Sequence, residues 1–167
     1  MITQERAKEL FNYDPKTGLL TWRVNRSRRA RVGEIAGTVT PKGYRRVGVD
    51  GQDYMVTHVI HVWMTGVWPP ETIDHEDLDP SNDRWLNLRP ATTSQQNMNQ
   101  GIRRDNTFGH KGVHWHKASG KWSVEIQVNG ERIHLGLFDR NKLTEAVACY
   151  ERHARLYHGR FARADVE

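Results

Sequence analysis

The clearest pattern in the chain is the alternation from Lys121 to Val128. Trp122, Val124, Ile126 and Val128 fall on one side, Lys121, Ser123, Glu125 and Gln127 on the other. Successive side chains of a strand point to opposite faces, so a period of two predicts a strand with one face buried. Asn129-Gly130 follows, a pair that accepts the positive φ of a two-residue hairpin turn. Glu131–Leu137 then alternates again, with Ile133, Leu135 and Leu137 expected inward, and Lys111–His116 supplies a strand ahead of both. From about Lys142 to His158 the period becomes helical: Leu143, Ala146, Val147, Tyr150, Ala154 and Tyr157 share one face, and Gly159 stands at the C-terminal stop. Three antiparallel strands with one apolar face, packed on one helix, make a complete small module.

The preceding two thirds are less regular. Residues 4–12 read as a short amphipathic helix carrying Ala7, Leu10 and Phe11, Tyr13 to Gly18 as a turn, and Leu19–Val24 as a strand. Asn25 to Arg31 hold Arg26, Arg28, Arg29 and Arg31, which is either a phosphate-contacting loop or, as the blander default, a solvated charge run. Tyr44–Val49 and Gln52–Val56 flank Asp50-Gly51, a second hairpin signal. His58–Gly66 reads as a helix, ended by Val67-Trp68-Pro69-Pro70. Residues 71–99 are mostly Asp, Asn, Arg and Thr and read as a polar functional loop. Thr93-Ser94-Gln95-Gln96 has capping-box spacing, so a short helix carrying Asn97 is expected to begin near Thr93. Gln100–Asn106 reads as a linker.

Charge and composition narrow the picture. The net charge is +5, and it is uneven: residues 1–100 hold 13 Lys/Arg against 12 Asp/Glu, residues 101–167 hold 12 against 8. A basic C-terminal third is the weak footprint of a polyanionic partner. Mean hydropathy is −0.79, so any core is thin. Cys149 is the only cysteine, which excludes an internal disulfide and a Cys-clamped structural zinc and fits a reducing cytosol. The first residues lack the apolar stretch of a signal peptide, and no apolar run reaches membrane-spanning length. The expectation is a soluble intracellular protein without a membrane partner.

The informative stretch runs from Ile73 to Asn97. It offers a carboxylate beside an imidazole, Asp74-His75, and later the amides of Asn87 and Asn97. Hydrolysing a phosphodiester needs an activated water, a charge sink for the leaving oxygen, and rigid placement of both. A histidine titrating near neutrality can act as the base. A hard cation held by a carboxylate and an amide oxygen can serve the leaving group.

The same residues resemble the HNH (ββα-metal) nucleases, particularly those of phages and introns that act as homing endonucleases. The resemblance rests on Gly66-Val67-Trp68-Pro69, Ile73-Asp74-His75, Asp79-Pro80-Ser81-Asn82-Asp83-Arg84-Trp85, Asn87-Leu88-Arg89-Pro90-Ala91-Thr92, and Gln96-Asn97 with Asn99. The lead-in Phe11, Tyr13-Asp14, Gly18, Leu20 and Trp22 matches as well, so the likeness covers roughly residues 10–100. It implies that Asp74 is a metal ligand and His75 the general base. It implies that Asn87 pins the loop that orients the histidine, and that Asn97 is the second metal ligand. The ion would be Mg2+, with Mn2+ able to substitute. Thr57-His58 stands where the family usually carries His-Arg, and the family's helical asparagine often falls one residue sooner, on Gln96. Asn97 is assigned on the ground that a one-residue loop insertion is cheap.

Behind this lies a second resemblance, over about residues 108–165. Lys111 to His116, Gly120 to Ile126, Ile133 to Asp139, Glu145-Ala146, Ala148, Tyr150, His158-Gly159 and Phe161-Ala162 are similar to the Apetala/ethylene-response-factor (ERF) DNA-binding domain. With one sheet face under the helix, the other presents Lys111, His114, His116, Glu125, Gln127, Arg132 and His134. A three-stranded sheet can lay such a face in the major groove of double-stranded DNA.

The expected organisation is therefore an α+β chain. It has an HNH domain over residues 1–100 with its ββα-metal core at about 54–99, a linker at 101–110, and an ERF-like module at 111–167. The expected function is metal-dependent DNA cleavage, in a bacterial cytoplasm and borne by a phage or mobile element. The alternative is a DNA-binding protein that keeps the nuclease scaffold without catalysis. An RNA-binding role is a third reading, without the aromatic stacking platform that single strands call for.

Overall fold

A computed structural model describes residues 1–28, 30–102 and 106–162; Arg29 and part of the expected linker lie outside them. The described residues form a mixed α+β fold with four α-helices and four small antiparallel sheets. They divide into two compact units, Met1–Thr92 and Thr93–Glu167. The division falls just before the short helix that carries Asn97, so that helix is grouped with the second unit.

In the first unit α1 (Gln4–Leu10) begins at Thr3, whose side chain accepts from the Arg6 amide. It ends one residue before Phe11, which starts a strand instead of completing the helix face expected from its spacing. β1 (Phe11–Tyr13) pairs with β2 (Leu20–Trp22), and Phe11 and Leu20 are fully buried. β3 (Thr38–Val39), β4 (Arg45–Val49) and β5 (Gln52–Met55) form a second sheet. Its tight turn has positive φ at both Asp50 and Gly51, the geometry those residues were expected to supply. α2 (Val56–Thr65) buries Val56, Val59, Ile60 and Val62, and Gly66 ends it in the left-handed conformation.

The polar stretch after α2 is not a loop throughout. β6 (Thr72–His75) and β7 (Leu88–Ala91) pair as an antiparallel ladder with Ile73 opposite Pro90, Asp74 opposite Arg89 and His75 opposite Leu88. Ile73 and Leu88 join the same core as Phe11, Leu20 and Ile60. The expectation of a loop without core anchors is corrected here. Its few apolar residues face inward, and its buried polar residues are matched by partners.

In the second unit α3 (Thr93–Asn99) is followed by β8 (Val113–His116), β9 (Lys121–Val128) and β10 (Glu131–Phe138), in spatial order β10-β9-β8. α4 (Leu143–His158) packs on the sheet through Ala146, Cys149, Tyr150 and Ala154. The turn Asn129-Gly130 again has two positive φ values. Two expectations fail in detail. A bulge between His134 and Gly136 shifts the register, so Leu137 pairs with Ser123 and is 47% exposed, while Phe138 takes the inward place opposite Trp122. Tyr157, expected on the packing face of α4, is 43% exposed, and the buried stripe ends on His158.

Candidate active site and nucleic-acid interface

Asp74 and His75 sit side by side on β6, at 3% and 5% exposure. Buried polar groups need partners, and each has one. Asp74 Oδ2 accepts from Arg89 Nε at 3.0 Å and lies 2.9 Å from Nη2. That pairing follows from register, because Arg89 stands directly across the ladder. Arg89 Nη1 also lies 3.7 Å from Glu76. His75 Nε2 is 2.9 Å from Asp83 Oδ1, and its ring lies 5.9 Å from that of Tyr44. An ionised carboxylate can only accept, so Nε2 carries the proton of this bond and the neutral imidazole has its lone pair on Nδ1. Neighbours on a strand alternate in direction, and the two residues accordingly meet different partners.

Asp83 is itself held firmly. Its backbone carbonyl accepts from the buried Tyr13 hydroxyl at 2.7 Å. Burial, together with the charges of Asp83 and Asp14, pushes the Tyr13 phenol above its usual range, so it stays a donor. Gly18 passes so close that a Cβ there would fall 2.6 Å from the Arg84 nitrogen and the Asp83 carbonyl carbon. The Trp85 amide donates to the Pro15 carbonyl at 3.1 Å. The β1–β2 segment thus acts as a splint for the residue that holds His75.

Asn87 spans the intervening loop. Its Oδ1 accepts from the Asp77 amide at 3.1 Å, and its Nδ2 donates to Asp77 Oδ1 at 2.9 Å and to the Asn82 carbonyl at 2.8 Å. Its own carbonyl accepts from the Glu76 amide at 2.9 Å. Burial works against the Asp77 carboxylate, yet hydrogen bonds from Asn82, the Asp79 amide and Asn87 hold its carboxyl below the ordinary value. Leu78 sits at φ 67 in the same loop, a conformation that branched or bulky residues seldom adopt.

The structure thus joins Asp74 to Arg89, His75 to Asp83, and Asn87 to Asp77 and Asn82. Asn97 belongs to the other unit, on an exposed position of α3, where its Oδ1 accepts from Gln100 at 3.0 Å. Arg89, Asp83 and Tyr13 were quoted as motif residues but given no role by sequence reasoning. The available signal was the antiparallel pairing of β6 with β7, which sets the buried Arg89 opposite Asp74. Thr57 is buried. His58 stacks on Trp68 with centroids 5.4 Å apart, and its Nε2 is buried without a hydrogen-bond partner. Burial pushes the His58 imidazole below its ordinary value, and the nearby His61 adds to this.

Among the described residues no three His, Cys, Asp or Glu side chains come together as a protein-only metal cage. The donor set at issue is of another kind. Asp74 supplies carboxylate oxygens and no thiolate stands beside it, which suits a hard cation that keeps most of its waters. Arg89 Nε and Nη2 both contact Asp74 Oδ2.

In the second unit His114, His116, Gln127, Arg132 and His134 are exposed on the sheet. Glu125 lies among them, 3.4 Å from Arg132 and 4.0 Å from His134. Lys111 is engaged elsewhere: its ammonium donates to the Met98 and Gln100 carbonyls at 2.6 and 2.7 Å. Gly112 passes directly over Tyr150, where a Cβ would lie 2.1 Å from the ring. Among the described residues no helix is long and apolar enough to cross a membrane.

Comparison of the chain with known protein families, with curated proteins and with solved structures found no match.

Proposed function

We propose that this chain is a metal-dependent DNA endonuclease of the HNH kind, whose C-terminal sheet module grips the duplex. The observation that carries the reading is the His75–Asp83 pair, a buried 2.9 Å hydrogen bond beside a buried carboxylate on the same strand. An imidazole held by a carboxylate through Nε2 has fixed orientation and tautomer, which is how an enzyme prepares a histidine base.

In this reading Nδ1 of His75 takes a proton from water as the water oxygen attacks phosphorus and the bond to the leaving sugar oxygen breaks. Asp83 steadies the imidazolium that results. Asp74 would hold Mg2+, or Mn2+ in its place, while Asn97, the ligand expected from the resemblance, belongs to the other unit. The ion would supply charge neutralisation at the leaving oxygen. Asn87 keeps the 76–82 loop in the shape that seats Asp83 and His75. On the sheet, His114, His116, Gln127, Arg132 and His134 would meet the major groove, with Glu125 tempering the charge of Arg132. The reading carries with it a phage- or mobile-element origin and a bacterial cytoplasm as the place of action.

A second reading is favoured by one specific feature. Asp74 is neutralised by Arg89 and His75 is 5% exposed, which suits a scaffold that binds DNA without cutting it. Supercoiled plasmid incubated with Mg2+ separates the two. Nicking or linearisation by the wild-type chain that disappears in His75→Ala upholds the nuclease. Gel retardation without cleavage by either protein leaves only the binder.

A further inference from the structure

The charge of the first unit is strongly polarised. Residues 23–46 hold eight Arg and Lys against a single acid, Glu34, while residues 71–89, which include Asp74 and His75, hold six Asp and Glu against two Arg. Part of the acidic excess is matched internally, yet an incoming phosphate backbone meets a net negative segment there. A nuclease built on such a segment needs cations of its own close by.

Described residues of the basic segment are tied down by hydrogen bonds, unlike those of an ordinary solvated charge run. The Arg26 amide donates to the Ala30 carbonyl at 2.9 Å, the Val32 amide to Asn25 Oδ1 at 3.0 Å, and the Gly33 amide to the Trp22 carbonyl at 2.9 Å. Arginines on a backbone already fixed lose less entropy when they bind. Two of them are committed to the fold: Arg23 donates to the Lys8 carbonyl, and Arg26 lies over Trp22 and beside Asp50. The guanidinium groups of Arg28, Arg31 and Arg46 have no carboxylate partner among the described residues, although the Arg31 amide donates to Glu34 Oε2 at 3.2 Å.

The loop and the second sheet adjoin. Ala30 and Arg46 line one cavity of about 380 Å3 with Trp22, Thr38 and Thr40. Val32, Ile35 and Val39 stand 57%, 45% and 58% exposed between the cations. Aliphatic side chains interleaved with guanidinium groups match a surface of sugars and phosphates more closely than bulk water.

We propose that the described part of residues 25–46 forms a second duplex-binding surface, on the nuclease unit itself, which takes DNA phosphates through Arg28, Arg31 and Arg46, the β4 arginine on the exposed face. This rests on the proposal that duplex DNA is the partner, but not on catalysis. Such contacts fix register without reading sequence, so the segment would present the strand to His75 while the C-terminal sheet supplies any base preference.

The test measures binding of the full chain to a labelled duplex in EDTA over a salt series. The proteins are wild type, Arg28→Gln/Arg31→Gln and Arg46→Gln, with Arg152→Gln/Arg155→Gln on α4 as the control for lost charge. Each lost phosphate contact flattens the log–log salt dependence by about 0.9. Arg28→Gln/Arg31→Gln should therefore lower the slope by nearly two contacts and Arg46→Gln by nearly one, with roughly tenfold or greater weakening at low salt for the pair, while the α4 pair stays close to wild type. Test variants that follow the α4 control overturn the surface, as does single-stranded RNA competing better than duplex DNA. A chain that never cuts plasmid yet shows the flattened slopes upholds this surface and removes only the catalytic reading. No duplex binding by wild type overturns both.

Discussion

Removal of the Arg89 guanidinium should be the most damaging single truncation in the first unit. Asp74 and Arg89 are 3% and 7% exposed, with Nε and Nη2 at 3.0 and 2.9 Å from one carboxylate oxygen. Stripping one partner from a buried ion pair costs about 3–5 kcal/mol, because the other charge remains out of water. Domains hold only about 5–15 kcal/mol in total. At about 4–8 °C per kcal/mol for a domain of this size, Arg89→Ala should lower the melting temperature by roughly 12–40 °C. Thermal and urea unfolding of the full chain, followed by tryptophan fluorescence, reads this directly, since four of the six tryptophans (Trp22, Trp63, Trp68 and Trp85) lie in the first unit. The double variant Asp74→Asn/Arg89→Met, which removes both charges, should recover much of the loss. A cost below about 1 kcal/mol for Arg89→Ala, the value of an exposed pair, would refute the claim that the buried carboxylate depends on this cation.

Further outcomes follow from other contacts. Gly18→Ala should cost about 1–3 kcal/mol through crowding against the Asp83–Arg84 backbone and should disturb the His75 imidazole 15N shifts, although Gly18 lies far from His75 in sequence; unchanged shifts would dismiss the splint. Gly112→Ala should destabilise the second unit by at least as much, its Cβ meeting Tyr150, and hydrogen exchange in β8 and β9 should rise while β6 and β7 keep their protection. His58, held below its ordinary value by burial, takes up its proton less readily folded than unfolded. Its contribution is therefore intact above about pH 6.5 and is lost as pH falls below that, towards the folded value. Urea midpoints measured through that window should fall less steeply for His58→Gln than for wild type.

How much of this was legible in the sequence depended on how each residue is buried. Lys121–Val128 buries its apolar residues on one face, with Ser123 the one buried residue of the other, so its alternation survives in the sequence and gives the strand with its bounds. Leu135-Gly136-Leu137 reads as uninterrupted alternation too, and nothing in it betrays the bulge that turns Leu137 out and Phe138 in. The β6–β7 ladder was hidden for a different reason. Asp74, His75, Asp83 and Arg89 are buried as pairs, and hydropathy counts each alone as a surface residue. Motif reasoning drew attention to Asp74 and His75 because a carboxylate beside an imidazole has chemistry of its own. It passed over Asp83 and Tyr13, whose importance lies in what they hold. Phe11 shows the limit of helical spacing at an element's end, where the pull of the core on an aromatic side chain outweighs one more turn of helix.

The central claim, that His75 removes the proton from the attacking water, is tested most directly by single-turnover cleavage of duplex DNA with protein in excess and Mg2+ present. Such conditions separate the chemical step from binding and release. His75→Ala should slow cleavage by about 10²–10⁴-fold, the usual contribution of a positioned base, while duplex affinity in EDTA stays at the wild-type value. Cleavage at equal rates by both proteins, or an affinity loss that accounts for the whole decrease, would contradict the account.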